Sequence, residues 1–139
     1  MSFFSVLLFT IFLAFGQSAN LTVVATGFDN DKGVLRIALY NSSRGYSRKD
    51  ATGAFMAVET GISGKKAMFV FENIPSGTYA IKAYHDENGN GKLDTVLLGI
   101  PTEKYAFSNK LRGRFGVPAY EKAMFVLNSE PLVVELNLK

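Results

Sequence analysis

Near the middle of the chain, oxygen-bearing side chains alternate with other residues over the stretch 86–94. Side-chain oxygens occupy its first, third, fifth and ninth positions, and glycine occupies the sixth. Calcium is a hard cation that takes six to eight oxygen ligands at about 2.3–2.6 Å, and a chain wrapped around it presents alternate side chains. The spacing therefore predicts a calcium-binding loop. The predicted ligands are Asp86, Asn88, Asn90, the main-chain carbonyl of Lys92, and Asp94.

The match to an EF-hand-type loop is partial. Position twelve is Leu97, where such loops carry a bidentate glutamate, and the residues before the loop alternate like a strand. We expect Glu103 to supply the missing carboxylate. The low ligand charge predicts weak affinity, with a dissociation constant of roughly 10⁻⁴–10⁻³ M. The alternative is a metal-free polar turn, in which asparagine side chains satisfy the backbone.

A catalytic alternative uses the long segment 99–118, in which no strand or helix period is evident. Long loops of this kind are often functional. His85, the only histidine, and Glu103 would then act as the acid–base groups of a hydrolase. The competing interpretation is that His85 only hydrogen-bonds the neighbouring loop. A zinc site is not indicated by one histidine and no cysteine. We expect no enzyme activity.

Basic and aromatic residues are interleaved in the segment 104–114, which contains Lys104, Lys110, Arg112 and Arg114. This composition suits an anionic surface or polysaccharide, although a solvated loop with docked aromatics has the same composition. The net charge of +3 is modest and does not indicate a nucleic-acid partner. A protein or a carbohydrate is the partner class that remains.

The elements that would position these residues are strands. Apolar residues recur at every second position in several short segments, with turn residues between them. This pattern predicts an all-β fold, an antiparallel immunoglobulin-like or transthyretin-like β-sandwich of about seven strands. The alternating segments are 21–26, 34–39, 66–71, 78–83, 122–127 and 132–139.

Turn and core residues follow from the same pattern. The residues 30–33, Asn-Asp-Lys-Gly, predict a hairpin between the first two strands. A single helical turn is expected somewhere in 50–58. The predicted core consists of Ile37, Phe69, Tyr79, Ile81, Phe125, Val134 and Leu136.

The first residues have the composition of an export signal. An uncharged apolar run from Ser2 to Phe15 is followed by small and polar residues up to Ala19, as at a signal-peptidase site. The run is shorter than the roughly 20 apolar residues of a membrane-spanning helix. We expect a signal peptide at 1–19 and a single domain at 20–139, secreted or periplasmic. No cysteine is present, so this domain folds without disulfides.

The order of motifs along the chain resembles that of a known protein family. Gly77-Thr78-Tyr79 leads to His85 and the acidic loop, followed by Gly99-Ile100-Pro101, Glu103 and Phe107-Ser108-Asn109. This order is similar to that of an uncharacterised family of exported bacterial proteins, a domain of unknown function. The resemblance implies export and a prealbumin-like or immunoglobulin-like sandwich, and it implies no activity.

Overall fold

The structure is a computed structural model that describes residues 16–113 and 116–139. Strands are its main elements, joined by two single-turn helices, short 3₁₀ turns and loops. The strands are β1 (Ser18–Thr26), β2 (Val34–Tyr40), β3 (Met56–Thr60), β4 (Ala67–Pro75), β5 (Gly77–Asp86), β6 (Tyr105–Phe107), β7 (Phe125–Leu127) and β8 (Leu132–Asn137). The helices are α1 (Ser43–Tyr46) and α2 (Tyr120–Ala123), and the 3₁₀ turns are Ala51–Gly53, Leu97–Gly99 and Ser108–Lys110.

Two sheets face each other across the core. One has three strands in the order β4-β1-β8, and the other runs β3-β2-β5-β6, with β7 pairing to β5. The pairings are antiparallel except that of β1 with β8, which is parallel. The prediction of an all-β sandwich is confirmed.

The main core lies between the inward faces of the sheets, as the alternation requires. Four of the seven predicted core residues, Ile37, Tyr79, Ile81 and Leu136, are at most 4% exposed. The other three, Phe69, Phe125 and Val134, are only partly buried and pack against the edge of the core. The side chains of these three residues therefore point towards the core as predicted, but they are less buried than predicted. They lie on β4, β7 and β8, none of which has a strand on both sides.

The hairpin predicted at 30–33 is wrong, because β1 and β2 belong to different sheets. The segment instead crosses from one sheet to the other. The Asp31 carboxylate accepts hydrogen bonds from the amides of Gly64 and Lys65 at 3.0 and 2.7 Å. Gly33 has φ +64, and a Cβ there would lie 1.9 Å from the Asp86 carbonyl oxygen, so a residue without a side chain is required.

Two strands were not predicted from the alternation. β3 begins inside 50–58, where only a helical turn was expected, and extends to Thr60; the helical turn is present at Ala51–Gly53. β6 lies inside the segment 99–118 and pairs with β5 through three residues. In the predicted strand 122–127, Lys122 and Ala123 belong to α2 instead. Such short strands offer too few residues for a period of two to be recognised.

At the amino terminus, β1 begins at Ser18, and Ala19 is buried opposite Ile74 of β4. The predicted signal peptide therefore overlaps the first two residues of this strand, while residues 1–15 lie outside the described part. Among the described residues, no helix has the length and apolarity to cross a membrane.

Candidate metal-binding loop

Asp86, the last residue of β5, opens the loop and is completely shielded from solvent. One carboxylate oxygen, Oδ2, accepts hydrogen bonds from Arg36 Nε at 2.6 Å and from the Gly91 amide at 2.9 Å. The other oxygen, Oδ1, is buried and has no hydrogen-bond partner among the described residues. A buried carboxylate oxygen is costly to leave unpaired, so this atom could accept a hydrogen bond from water or contact a cation.

Asp86 is held in its charged form. Burial raises the pKa of its carboxyl, but the hydrogen bond from Arg36 and the Gly91 amide together outweigh burial and leave the pKa below its usual value. A carboxylate that stays ionised at neutral pH can bind a cation without first losing a proton.

The remaining side chains predicted as ligands lie close together. The Asp94 carboxylate accepts hydrogen bonds from Asn88 Nδ2 at 2.5 Å and from Asn90 Nδ2 at 2.7 Å. The side-chain oxygen of Asn88 accepts from the Asn90 amide, and that of Asn90 accepts from the Lys92 amide, each at 3.1 Å. These are the asparagine turns of the metal-free interpretation, and they hold the side chains of Asn88, Asn90 and Asp94 together.

Gly91 lets the chain turn at the sixth loop position. Its φ of +80 is disfavoured for residues with a side chain, which accounts for glycine in the sequence here. The turn brings the Gly91 amide onto Asp86 and places Lys92 on the exposed side of the loop.

Glu103 joins the two ends of the loop. Its Oε1 accepts a hydrogen bond from the Glu87 amide at 3.1 Å, and its Oε2 accepts one from the Asp94 amide at 3.0 Å. The residue is only 8% exposed. Its position beside the loop was predicted as that of a ligand, whereas the contacts observed are those of a clamp on the main chain.

No group of three or more His, Cys, Asp or Glu side chains in 16–113 and 116–139 is close enough to hold a metal. A cation in this loop would therefore depend on Asp86 and Asp94, supplemented by amide and main-chain oxygens. That ligand set is typical of weak calcium sites rather than of sites for softer metals.

The side chains named for a hydrolase, His85 and Glu103, make structural contacts, and so does the Ser108 hydroxyl. His85 is fully buried, and its Nε2 donates to the Lys32 carbonyl at 2.6 Å. The Ser108 hydroxyl donates to the Ala123 carbonyl at 2.6 Å and accepts from the Ile81 amide at 2.9 Å. Among the described residues, no hydrogen bond joins Ser108 to His85. These side chains fasten the 30–33 crossing and α2 to β5.

Two residues that hold the site and its surroundings in place, Arg36 and Asn109, were not identified from the sequence. Arg36 alternates with apolar neighbours on β2, and nothing in the sequence indicated that it faces Asp86 across the sheet. Asn109, with φ +61, donates to the carbonyls of Lys122 and Met124 at 2.8 and 2.9 Å. Ser108 and Asn109 thus form a clasp that holds the end of α2. The only signal for it in the sequence was an asparagine directly after a strand.

Part of the basic segment 104–114 borders a cleft of about 670 Å³. The cleft lies between β1 and β8 on one side and residues 110–113 on the other. Lys110, Arg112, Lys139 and the Tyr105 ring line it together with Glu135. Lys104 faces elsewhere and pairs with Asp29 at 2.7 Å, and Arg114 lies outside the described residues.

Comparison with known proteins identifies the family of the chain. A sequence model described as an uncharacterized protein conserved in bacteria (DUF2141) matches residues 23–135. The chain belongs to the DUF2141 family. The match extends from β1 to β8 and contains the loop, Glu103 and the Ser108 clasp. Neither the curated proteins nor the solved structures include a match to the chain.

Proposed function

We propose that this member of the DUF2141 family is an exported, non-catalytic binding module whose loop 86–94 binds calcium. The observation that carries the proposal is the Oδ1 atom of Asp86, buried and without a partner in the described structure, at the first ligand position. Asn88, Asn90 and Asp94 gather around the same loop at the spacing that calcium requires.

A bound metal ion would replace the hydrogen bonds that Asn88 and Asn90 donate to the Asp94 carboxylate. Two asparagine amide groups point their NH₂ ends at this carboxylate, as a cation would otherwise do. Rotation of these amides would exchange nitrogen for oxygen and supply neutral ligands. Glu103 supports the site by holding both loop ends at the main chain, independently of whether it also contacts the ion.

Calorimetric titration with calcium tests the proposal. We expect a dissociation constant of roughly 10⁻⁴–10⁻³ M and poor competition by magnesium, which demands a small octahedral site. Calcium at ten times this constant should raise the free energy of unfolding by about 1.4 kcal/mol. If calcium gives neither heat nor a melting shift at millimolar concentrations, the loop is only a polar turn.

Asp94→Asn is the informative variant, because Asp94 is partly exposed and its loss leaves the buried Arg36–Asp86 pair intact. It should lower calcium affinity at least about tenfold, equivalent to 1.4 kcal/mol. Glu87→Gln is the matched control, since Glu87 lies in the loop but its carboxylate is directed towards His85, 3.7 Å from Nδ1. Equal affinity of both variants would contradict the ligand set.

The exported location follows from the apolar amino terminus and has its own test. Amino-terminal sequencing of the secreted or periplasmic protein should find Asn20 or Ala19 first. A soluble cytosolic protein that retains Met1 would overturn this part of the proposal without affecting the calcium site.

A second candidate function is binding of an anionic polysaccharide in the cleft, where three cations lie beside an aromatic ring. Polygalacturonate should bind in a salt-dependent manner. Lys110→Gln combined with Arg112→Gln should weaken binding, whereas Lys49→Gln, at an exposed site that does not line the cleft, should not. Salt-independent binding, or loss in the control, would argue against the cleft.

A further inference from the structure

The calcium loop continues directly into a closed finger at residues 95–101. Thr95 and Pro101 pair as an antiparallel bridge. Inside the finger, the Val96 amide donates to the Ile100 carbonyl at 2.8 Å. At its base, the Thr102 amide donates to the carbonyl of Asp94 at 2.9 Å, so the finger is attached to the last predicted ligand. Asp94 therefore links the loop 86–94 to the base of the finger.

The tip of the finger is apolar and fully presented to solvent. Leu97 and Leu98 are 86% and 91% exposed, and Val96 and Ile100 are 54% and 58% exposed. No charged residue occurs from Thr95 to Thr102. Leu98 has φ +68, a conformation that is uncommon for residues other than glycine. A contiguous apolar patch of this kind marks an interaction site, whereas single exposed leucines do not.

We propose that this finger inserts into the surface layer of an anionic lipid bilayer when calcium fills the loop. The tip is convex, so it cannot enclose a ligand and instead fits a fluid apolar phase. A protein partner fits less well, since a seven-residue finger offers far less than the about 800 Å² per partner of a stable protein interface.

Charge connects insertion to calcium. Residues 86–104 contain four carboxylates and two lysines, a net charge of −2, whereas the whole chain carries +3. The base of the finger is thus repelled by anionic headgroups while the remainder of the chain is attracted. One calcium ion cancels the local charge and removes the repulsion. The dependence of insertion on calcium rests on the function proposed above, whereas the contact of the apolar tip with lipid does not.

Vesicle co-sedimentation of the purified protein tests the proposal. Vesicles of phosphatidylcholine mixed with phosphatidylglycerol should bind the protein with calcium and release it with chelator, and pure phosphatidylcholine should bind it weakly. Leu97→Ser combined with Leu98→Ser should lower binding at least about tenfold, equivalent to 1.4 kcal/mol. Val133→Ser is the control, because Val133 is 60% exposed on β8 and outside the finger.

Calorimetry without vesicles separates the two proposals. The leucine double variant should bind calcium like the unaltered protein, because neither leucine is a predicted ligand. Calcium-loaded protein that does not bind the mixed vesicles overturns insertion but does not affect the calcium site. Leucine-dependent binding that is equal with calcium and with chelator supports insertion and overturns the switch.

Discussion

The Nε atom of Arg36 lies 2.6 Å from Oδ2 of Asp86, which ties the first loop residue to a neighbouring strand of the same sheet. Through Nη1 the same guanidinium reaches Glu59 Oε2 at 2.9 Å. Arg36 therefore compensates the buried carboxylate from one side, while Oδ1 faces no partner in the described structure. An arginine and a bound cation would stabilise the same carboxylate through different oxygens.

Replacing Arg36 should make the protein more dependent on calcium. Arg36→Gln leaves the buried Asp86 charge poorly compensated, and we expect a loss of about 1–3 kcal/mol without calcium, because the arginine side chain is itself 30% exposed. Saturating calcium should recover more stability in this variant than in the unaltered protein. Denaturant melts with calcium and with chelator measure the difference.

The control for this prediction is Glu59→Gln, which removes the other partner of Arg36. Glu59 is 58% exposed, so its loss should cost less than about 1 kcal/mol and should leave the calcium response unchanged. A calcium response that is the same in Arg36→Gln as in the unaltered protein would show that Asp86 does not contact the ion.

Asp86 should also make stability depend on pH in the acid range. Its pKa in the folded protein lies below the usual 3.8, so its stabilising contribution is complete well above pH 3.8 and is lost as the pH falls through the folded-state pKa. Asp86→Asn should be less stable than the unaltered protein at neutral pH, and the gap should narrow in acid. Urea melts across this range test it, and parallel curves would refute the assignment.

The proximity of the loop side chains could be predicted from the sequence because it is local. Asp86, Asn88, Asn90 and Asp94 are close in the chain, and a turn at Gly91 is enough to bring them together. Arg36 is 50 residues away and reaches Asp86 only through the pairing of β2 with β5, which no local pattern records. Glu103 was predicted as a ligand that completes the loop, but its hydrogen bonds to main-chain amides depend on a geometry that spacing does not determine.

Replacing a phenylalanine by alanine should lower the free energy of unfolding more at the centre of the core than at its edge. Phe71 is 1% exposed, and Phe71→Ala should cost about 3–5 kcal/mol. Phe125 is partly buried, so Phe125→Ala should cost less, about 1–3 kcal/mol. Denaturant melts of both variants compare them directly. A larger loss for Phe125 would mean that β7 is packed more tightly than its half-buried ring indicates.

Strand faces were predicted more reliably than strand neighbours. Alternation identifies which side of a strand is apolar, and this holds for Phe69, Phe71 and Phe125 alike. It does not reveal whether another strand or loop covers that side, which decides between a buried ring and a half-buried one. The same limit explains the wrong hairpin at 30–33, since a turn sequence suits a sheet crossing as well as a hairpin.

Removing the hydroxyl groups of two buried tyrosines should have different effects on the stability of the protein. The Tyr46 hydroxyl is buried and has no hydrogen-bond partner in the described structure, so Tyr46→Phe should be neutral or stabilising. The Tyr79 hydroxyl donates to the Pro75 carbonyl at 2.6 Å, and Tyr79→Phe should cost about 0.5–1.5 kcal/mol. Thermal melts rank the pair. A destabilised Tyr46→Phe would reveal a partner such as bound water.

Glu103→Gln distinguishes a clamp from a ligand. A glutamine oxygen can still accept from one main-chain amide, but its NH₂ group faces the other amide of the pair formed by Glu87 and Asp94. A clamp therefore predicts a loss of about 1–3 kcal/mol in the absence of calcium, because a partly buried donor is left unsatisfied. A residue that acted only as a ligand would leave the calcium-free stability unchanged and reduce only the affinity. We expect both the stability and the affinity to fall, with Glu87→Gln changing neither. Melts in chelator give the first quantity and calorimetry the second, and a variant that loses affinity alone would return Glu103 to the ligand set.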